Sequence, residues 1–352
     1  FHAGENPGFF SVNRNKRSIA LDLRHPEGLA IARHLAAEAD VLVENYRPGV
    51  LDRLGLGYET LREANPRLVY CSVSGFGRTG PYVNRPAVDP ILQAMGGLMS
   101  ITGEPERPPV LVGSPVADLY AAALSAYGVV VALLARSRTG RGQHLEVTLL
   151  NAGLYLLLPR EGSHFATGRV PRPSGAASAY YTPYQVFRAA DGYIFIAVRT
   201  DADWRRFAEA IGADHLRDDP RFATNKDRVT HSAALIAALE PILAGRTTAD
   251  LWAICDRIDV ISGPVQTFDQ VFRDPQVVHN EMVATVDHPV AGPMRVLGIP
   301  IKLHDTPGQI VSPPPVLGQH TDQILMDLGY SADTITDLRD RGVTKVTRQP
   351  KT

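Results

Sequence analysis

The chain has 352 residues, 44% of them hydrophobic, which is enough material for two domains with their own cores. Its 36 Lys and Arg residues nearly balance its 37 Asp and Glu residues, so the formal net charge is −1, and no long basic block is present. This charge distribution argues against a nucleic-acid partner.

Short apolar strands alternate with helices through the first part of the chain. The pattern predicts strands over residues 19–23, 41–43 and 68–74, and helices over residues 26–39 and 58–64. Such alternation is typical of a parallel sheet covered by helices, so we expect an α/β fold. Ligands of these sheets collect at the carboxyl ends of the strands. Here those ends carry Arg24, the segment 45–47 (Asn-Tyr-Arg) and the segment 74–75 (Ser-Gly).

A long apolar helix is predicted after Ser114. Ser114 suits the N-cap, Pro115 suits the first helical position, and Gly140 supplies a stop after the last turn. The stretch 119–135 is short for a bilayer span and apolar nearly all round, so we expect a core helix buried on most faces. Asp118 is its one carboxylate. The helix dipole favours the ionised form in the first turn, which makes Asp118 a candidate nucleophile or base. An aspartate in this position is more often only a favourable charge.

The second part of the chain has a different composition. Residues 162–178 are rich in Gly, Ala, Pro, Ser and Arg, which is typical of a linker. A β-hairpin is predicted over 184–198 around Asp191 and Gly192. A helix containing Trp204 follows, with further helices over 235–243, 249–258 and 321–328 and an irregular turn into a strand at 261–265.

Common catalytic motifs are missing from the sequence. It contains no zinc-protease helix, nucleophile elbow, phosphate-binding loop or paired CxxC, and its 11 histidines lack ligand spacing. This elimination favours a carboxylate mechanism without a metal. Cys71 lies in a predicted buried strand, so we expect a packed thiol rather than a disulfide or a catalytic group. A reducing compartment, the cytoplasm, fits these cysteines.

Basic and aromatic residues near the strand ends suit an anionic, aromatic ligand. Arg24, Arg47 and Arg53 could face phosphates, and Tyr46 could stack on a ring. The alternative interpretation is solvated surface charge.

Eight short motifs occur in a characteristic order along nearly the whole chain. They are residues 13–18, 39–49, 65–68 and 74–77, Asp118 before its helix, and residues 139–143, 263–265 and 317–321. Together they resemble the class III coenzyme A transferases, the family that contains formyl-CoA transferase, carnitine CoA-transferase and α-methylacyl-CoA racemase.

This resemblance implies an architecture. It is an interlocked homodimer, in which each chain has a Rossmann-like large domain with a parallel sheet and a smaller α/β domain. On this chain the large CoA-binding domain would cover residues 1–165, a linker 166–183, the small domain 184–305, and a tail that returns to the large domain 306–352. The family's opening strand and helix, which contribute a CoA-binding arginine, are missing from this sequence, so the resemblance assigns no residue to that contact.

The resemblance also implies a covalent reaction. The aspartate at the position of Asp118 attacks the thioester of the donor acyl-CoA, and the mixed anhydride becomes an aspartyl-CoA thioester from which the acceptor acid regains CoA. The CoA contacts carried over by position are Leu21, Arg24, Asn45, Tyr46, Arg53 and the segment 86–89, which includes Val88 and Asp89. Acyl-CoA and a small organic acid are then the substrates, with no tightly bound cofactor, metal or membrane partner.

Two departures from the family pattern bear on the reaction. The racemase branch uses a histidine within Gly-His-Asp as an acid/base, but this chain has Ala87-Val88-Asp89, and valine cannot move a proton. This favours CoA transfer. The glycine run that shields the intermediate in the formyl type is replaced by Ser-Gly-Ala-Ala-Ser at 174–178.

Other functions stay open at the level of sequence. They are racemase or isomerase chemistry using a neighbouring histidine, a catalytically silent acyl-CoA-binding protein, and a nicotinamide dehydrogenase whose glycine fingerprint lies before Phe1. Arg160, Arg169 and Arg172 could receive a dicarboxylate such as succinate, or could be solvated loop charges.

Overall fold

The computed structural model describes residues 6–346. In chain order, its helices are α1 (Pro7–Val12), α2 (Pro26–Glu38), α3 (Val50–Arg53), α4 (Tyr58–Ala64), α5 (Asp89–Met95), α6 (Val116–Thr139), α7 (Leu149–Tyr155), α8 (Arg160–Thr167), α9 (Asp201–Ala210), α10 (Asp214–Arg217), α11 (Asn225–Thr230), α12 (Ser232–Ala244), α13 (Thr248–Arg257), α14 (Phe268–Val271), α15 (Pro275–His279), α16 (Thr321–Asp327) and α17 (Ala332–Asp340). The strands are β1 (Val41–Glu44), β2 (Val69–Ser74), β3 (His144–Thr148), β4 (Tyr184–Arg188), β5 (Tyr193–Ala197), β6 (Ile261–Pro264), β7 (Val283–His288) and β8 (Gly292–Leu297).

The described residues form two compact units that interleave along the chain. The first contains residues 6–92, Ala117–Ala152 and 268–346, and the second contains Gln93–Val116 and Gly153–Thr267. These bounds differ from the predicted domains, because residues 93–116 belong to the second unit and the β7–β8 hairpin belongs to the first. The predicted linker 166–183 begins inside α8.

The first unit is built on a parallel sheet in the order β1-β2-β3, with Val41 opposite Val69 and Tyr70 opposite His144. The expected α/β fold with a parallel sheet is therefore confirmed. Successive side chains of β2 point to opposite faces of the sheet. Tyr70 packs into a cluster with α2, α3 and α4, whereas Cys71 lies beside Ser125 of α6.

A close contact brings α6 against the sheet. A Cβ at Gly128 would lie 2.8 Å from Leu145 Cδ1 on β3, so the missing side chain allows the helix to approach.

Cys71 and Cys255 are both free and buried, which confirms the packed thiol predicted for Cys71.

The helix α6 covers the sheet with one side only. Its buried residues are small: Ala117, Ala121, Ser125 and Ala132. Its larger apolar residues face outward, namely Leu119, Tyr127 (70% exposed), Val130 (63%), Val131 and Leu134. The prediction of a helix buried on most faces is wrong for the single chain, since one side packs on the sheet and the other is left uncovered.

Within the described residues, α6 is the one helix long and apolar enough to cross a membrane by length and composition.

The segment 19–23 is not a strand of the sheet, so that prediction is wrong. Its backbone bonds instead to residues far along the chain. The Ala20 N–H donates to Thr321 Oγ1 at 3.1 Å, the Asp22 N–H donates to the Val343 carbonyl at 2.9 Å, and Leu21 forms an isolated bridge with Thr344. The helices α16 and α17 pack against Ile31 of α2 in the same region.

The second unit has an antiparallel sheet in the order β4-β5-β6. The predicted hairpin is confirmed, with Arg188 opposite Tyr193. Trp204 and Phe207 of α9 are fully buried against this sheet and the helices α12 and α13. Arg228 is also fully buried, and its guanidinium donates to the Thr182 carbonyl at 2.8 Å and to Asp201 Oδ1 at 2.9 Å.

Candidate active site

A cavity of about 860 Å³ opens at the carboxyl ends of β1 and β2 in the first unit. We call it the Asp118 cavity. Its wall is formed by Val12, Lys16, Val43, Glu44, Asn45, Val73, Ser74, Gly75, Ala87, Val88, Asp118, Ala122, Ser125, Ala126, Val129 and Leu149. The helix α6 contributes Ala122, Ser125, Ala126 and Val129 to this wall, and Asp118 lies in its first turn. The position agrees with the strand-end rule for parallel sheets.

A glycine at the end of β2 makes this geometry possible. A Cβ at Gly75 would lie 2.1 Å from the Cβ of Ala87, far inside van der Waals contact. Because Gly75 has no side chain, the Ala87-Val88 segment can cross the strand end and complete the wall.

The first turn of α6 is capped from another helix. Oδ1 of Asp89, at the start of α5, accepts the N–H of Ala117 at 2.8 Å and the N–H of Asp118 at 3.3 Å. The predicted N-cap, Ser114, does not have this role in the structure, where its carbonyl accepts the Val116 N–H at 2.7 Å. A carboxylate is a favourable partner for the unpaired N–H groups of a helix start.

Burial against the apolar wall raises the pKa of Asp118, and the negative charge of Asp89 raises it further. The helix dipole favours the ionised carboxylate, and burial and the charge of Asp89 act against it. Two amides of the first turn, those of Ala117 and Asp118, donate to Asp89 Oδ1. The side chain of Asp118 is still accessible from the cavity. A carboxylate whose pKa is raised is more basic than an ordinary aspartate, which favours its use as a nucleophile.

A second cavity of about 580 Å³ adjoins the first and shares with it Asn45, Ser74, Gly75, Ala87 and Val88. We call it the arginine cavity, because Arg47, Arg53 and Arg85 line it together with Tyr46, whereas no described carboxylate does. The Arg85 guanidinium also lies over the Tyr82 ring, 4.6 Å from its centroid. Guanidinium groups and an exposed ring are the groups expected to hold an anionic, aromatic ligand.

The structure brings together most, but not all, of the predicted site residues. Asn45 and Val88 line both cavities, Tyr46 and Arg53 line the arginine cavity, and Asp118 lines its own.

The other three predicted contacts line neither cavity. Leu21 packs in the cluster around Ile31. Arg24 pairs with both carboxylate oxygens of Asp22 at 3.0 Å. Asp89 is buried and caps α6. Their roles as CoA contacts stay predictions.

Sequence reasoning missed three residues of these walls. Glu44 directly follows the apolar part of β1, so the strand-end rule could have included it. It is buried, accepts the Tyr46 N–H at 2.9 Å and lies 3.7 Å from Arg78. Lys16 belongs to the motif 13–18, whereas Arg85 carried no signal, since the fold of its loop brings it to the cavity.

The residues predicted to shield or to receive the acceptor acid lie in the second unit. Gly175, in the replaced glycine run, donates its N–H to the Gly103 carbonyl at 2.8 Å. Arg160 is half-buried at the start of α8, whereas Arg169 and Arg172 are exposed. Between residues 6 and 346, no group of three or more His, Cys, Asp or Glu is arranged to hold a metal ion.

Comparison with known proteins gives a consistent result. The model of CoA-transferase family III matches residues 1–321. The succinate–glutarate CoA-transferase of Agrobacterium fabrum is 37% identical over 328 residues, covering 93% of this chain and 82% of that protein. The formyl-CoA:oxalate CoA-transferase of Streptomyces avermitilis is 34% identical over 357 residues, covering 95% of this chain and 86% of that protein. A solved CAIB/BAIF family protein from Brucella suis has a TM-score of 0.84 at 39% identity, covering 91% of this chain and 83% of that one.

Proposed function

The chain belongs to CoA-transferase family III, and on this premise we propose that it moves coenzyme A from an acyl-CoA to a free dicarboxylic acid, with Asp118 as the nucleophile. The resemblance seen in the sequence is confirmed, and with it the assignment as a CoA-transferase. The two relatives are named after glutarate, succinate and oxalate, which are all dicarboxylates. This supports a dicarboxylic acid as the acceptor.

The proposed reaction passes twice through an anhydride on Asp118. A carboxylate oxygen of Asp118 attacks the donor thioester, the C–S bond breaks, and CoA leaves as a thiolate. That thiolate attacks the aspartyl carbonyl of the anhydride and releases the donor acid, leaving an aspartyl-CoA thioester. The acceptor carboxylate then attacks this thioester and expels the thiolate, which attacks the acceptor carbonyl of the second anhydride. The products are a new acyl-CoA and free Asp118.

The observation that supports Asp118 most strongly is the contrast between the two carboxylates of its cavity. Glu44 is engaged by the Tyr46 N–H and lies near Arg78. Asp118 faces the apolar wall, where desolvation raises its pKa. Exclusion of water also protects an anhydride from hydrolysis.

The arginine cavity is the proposed site of the nucleotide part of CoA. Arg47, Arg53 and Arg85 would neutralise its phosphates, and Tyr46 would stack on its adenine. The five residues shared with the Asp118 cavity would then let the thiol arm reach the nucleophile.

Racemase chemistry has less support. It needs a second acid/base across the α-carbon from Asp118, but Val88 occupies the aligned position and no histidine is among the described residues that line either cavity. Incubation of the protein in D₂O with a chiral acyl-CoA and no acceptor acid should leave the α-hydrogen unexchanged. Exchange at a turnover rate would favour the racemase.

We also propose that the active form is the interlocked homodimer implied by the resemblance. The large apolar residues on the outer side of α6 support a second copy of the chain as their cover. A soluble monomer rarely exposes a contiguous apolar surface of this kind.

The covalent intermediate gives the direct test. After incubation with succinyl-CoA, intact-mass analysis should detect a species heavier by CoA less one water. Asp118→Asn should lack this species and lose CoA transfer, while Glu44→Gln, which removes the other carboxylate of the cavity, should still form it. Transfer by Asp118→Asn at the parental rate would falsify the mechanism, and tight CoA binding by the parent without adduct or turnover would indicate a silent binder.

A further inference from the structure

We propose that Asp89 is a positioning residue, whose carboxylate fixes the first turn of α6 and so holds Asp118 in its place at the cavity. Asp89 is 5% exposed and lines neither cavity. Its Oδ1 accepts the N–H of Ala117 at 2.8 Å and that of Asp118 at 3.3 Å. The inference rests on the proposed role of Asp118 and assigns Asp89 to the helix start rather than to CoA.

The bond to the N–H of Asp118 itself makes this cap specific. A side chain from within the segment before the helix would ordinarily cap it, but Ser114 is exposed and Pro115 has no N–H. The cap therefore comes from α5, 29 positions earlier in the chain than Asp118. Because one oxygen joins two successive amides, movement of the backbone that carries Asp118 would break both hydrogen bonds.

The charge of Asp89 has a second effect, on the protonation of Asp118. Desolvation is the larger cause of the raised pKa of Asp118, and the negative charge of Asp89 adds to it. The other titratable or charged groups around the cavity are Lys16 after α1, Glu44 at the end of β1 and Cys71 on β2, which lies beside Ser125. Glu44 is held by the Tyr46 N–H and lies 3.7 Å from Arg78.

Two substitutions separate the hydrogen bonds from the charge. Asp89→Asn keeps an oxygen acceptor, so it should retain most of the kcat at neutral pH. It removes the charge, so the acid limb of kcat/KM should move to lower pH. Asp89→Ala loses the cap as well, and a misplaced nucleophile typically costs roughly tenfold to a hundredfold in kcat. KM for acyl-CoA should change little in both variants, because the arginine cavity is unaltered.

The controls distinguish this inference from the proposed function. Glu44→Gln removes a different buried carboxylate of the same cavity and should leave the acid limb in place. The inference is overturned if Asp89→Asn leaves the acid limb unmoved, if Glu44→Gln moves it equally, or if Asp89→Ala is as active as Asp89→Asn. These results leave the proposed function standing as long as Asp118→Asn is inactive. An active Asp118→Asn defeats the proposed function instead. If Asp89→Ala fails to fold, the pH profile of Asp89→Asn decides.

Discussion

At the scale of single residues, Asp118 is subject to opposing influences. The start of a helix favours a negative charge, whereas burial and a neighbouring carboxylate disfavour it. Here the unfavourable influences prevail, since the pKa of Asp118 is raised. The amides that would have stabilised its charge are bonded to Asp89. A carboxylate in such a place makes the folded state less stable than it could be.

This conflict predicts a pH-dependent effect of Asp118→Asn on stability. A carboxyl whose pKa is raised by folding stabilises the fold fully below its pKa in the unfolded chain, and this contribution is lost as the pH rises through its folded pKa. At neutral pH the melting temperature of Asp118→Asn should therefore equal or slightly exceed that of the parent. The gain should be small, because the side chain reaches solvent in the cavity.

Thermal denaturation across a pH series checks this expectation. The difference between the two proteins should disappear below the ordinary aspartate pKa of 3.8. A lower melting temperature of Asp118→Asn at neutral pH would contradict the assignment of Asp118 as a destabilised group.

From the lining of the arginine cavity we expect Arg53→Met to weaken the binding of acyl-CoA. The substitution keeps most of the side-chain volume and removes one of three guanidinium groups. A hydrogen bond to a charged group contributes about 1.5–3 kcal/mol, so KM for acyl-CoA should rise by about tenfold or more while kcat changes little. Steady-state kinetics measure both constants. The matched control is Arg62→Met on the surface of α4, and an equal rise of KM in that variant would show a nonspecific effect of charge.

At the scale of elements, α6 presents two different sides. Its inner side is made of small residues that fit against the sheet, and its outer side carries Tyr127, Val130 and Leu134. The sequence shows an apolar helix but not which of its sides the same chain will cover. That depends on the partners available to each side, and the second copy of the chain is the partner we propose.

From the exposed apolar side of α6 we expect Val130→Glu to prevent dimer formation. Val130 is 63% exposed in the single chain, so a glutamate there is tolerated in the monomer. In a dimer interface an unpaired charge would cost several kcal/mol. Light scattering after size exclusion should therefore give a dimeric mass for the parent and a monomeric mass for Val130→Glu. Thr336→Glu, on the exposed side of α17, should remain dimeric. A monomeric parent, or a dimeric Val130→Glu, would contradict the proposed interface.

The elements that were predicted well are those whose pattern is local. The apolar runs of β1 and β2 and the helical spacing of α2 and α4 lie within short windows, and the structure confirms them. The segment 19–23 has the same apolar character. Its hydrogen-bond partners, such as Thr321 and Val343, lie some 300 positions away, and a local pattern cannot reveal them.

The residues of the candidate site also differ in whether a local pattern could predict them. Asn45, Tyr46 and Arg53 follow β1 closely, so the strand-end rule and the family resemblance place them near a ligand. The cap of α6 by Asp89 could not be foreseen, because Ser114 and Pro115 already formed a complete local signal. Burial is the larger cause of the raised pKa of Asp118, and the charge of Asp89, which adds to it, comes from that same distant contact.

At the scale of the whole molecule, composition and contacts divide the chain differently. The Gly- and Pro-rich stretch 162–178 suggested a single boundary, but the second compact unit also takes in residues 93–116. Compact units are defined by which residues pack together, and a chain that leaves a unit and returns carries no single compositional mark of it.

The proposed activity predicts a preference among acceptor acids. With one acyl-CoA donor, CoA transfer to succinate, glutarate or oxalate should be at least about tenfold faster than transfer to the monomethyl ester of the same acid. The reason is that a site built to pair a second carboxylate is left with an uncompensated group when that charge is removed. Rates of formation of the new acyl-CoA, measured by chromatography, check this. Equal rates for each acid and its ester would show that the second carboxylate is not recognised.

The core that joins α2 to α16 and α17 has a consequence for synthesis. Ile31 packs with Leu325, Leu338 and Val343, and Arg341 pairs with Glu27 across 314 positions of the chain. A ribosome adding about 5–20 residues per second needs roughly 15–60 s to cover that distance. Until residues 325–343 have been made, the side of α2 that carries Ile31 lacks the partners that cover it in the folded protein. A stalled or truncated product would keep that helix face bare.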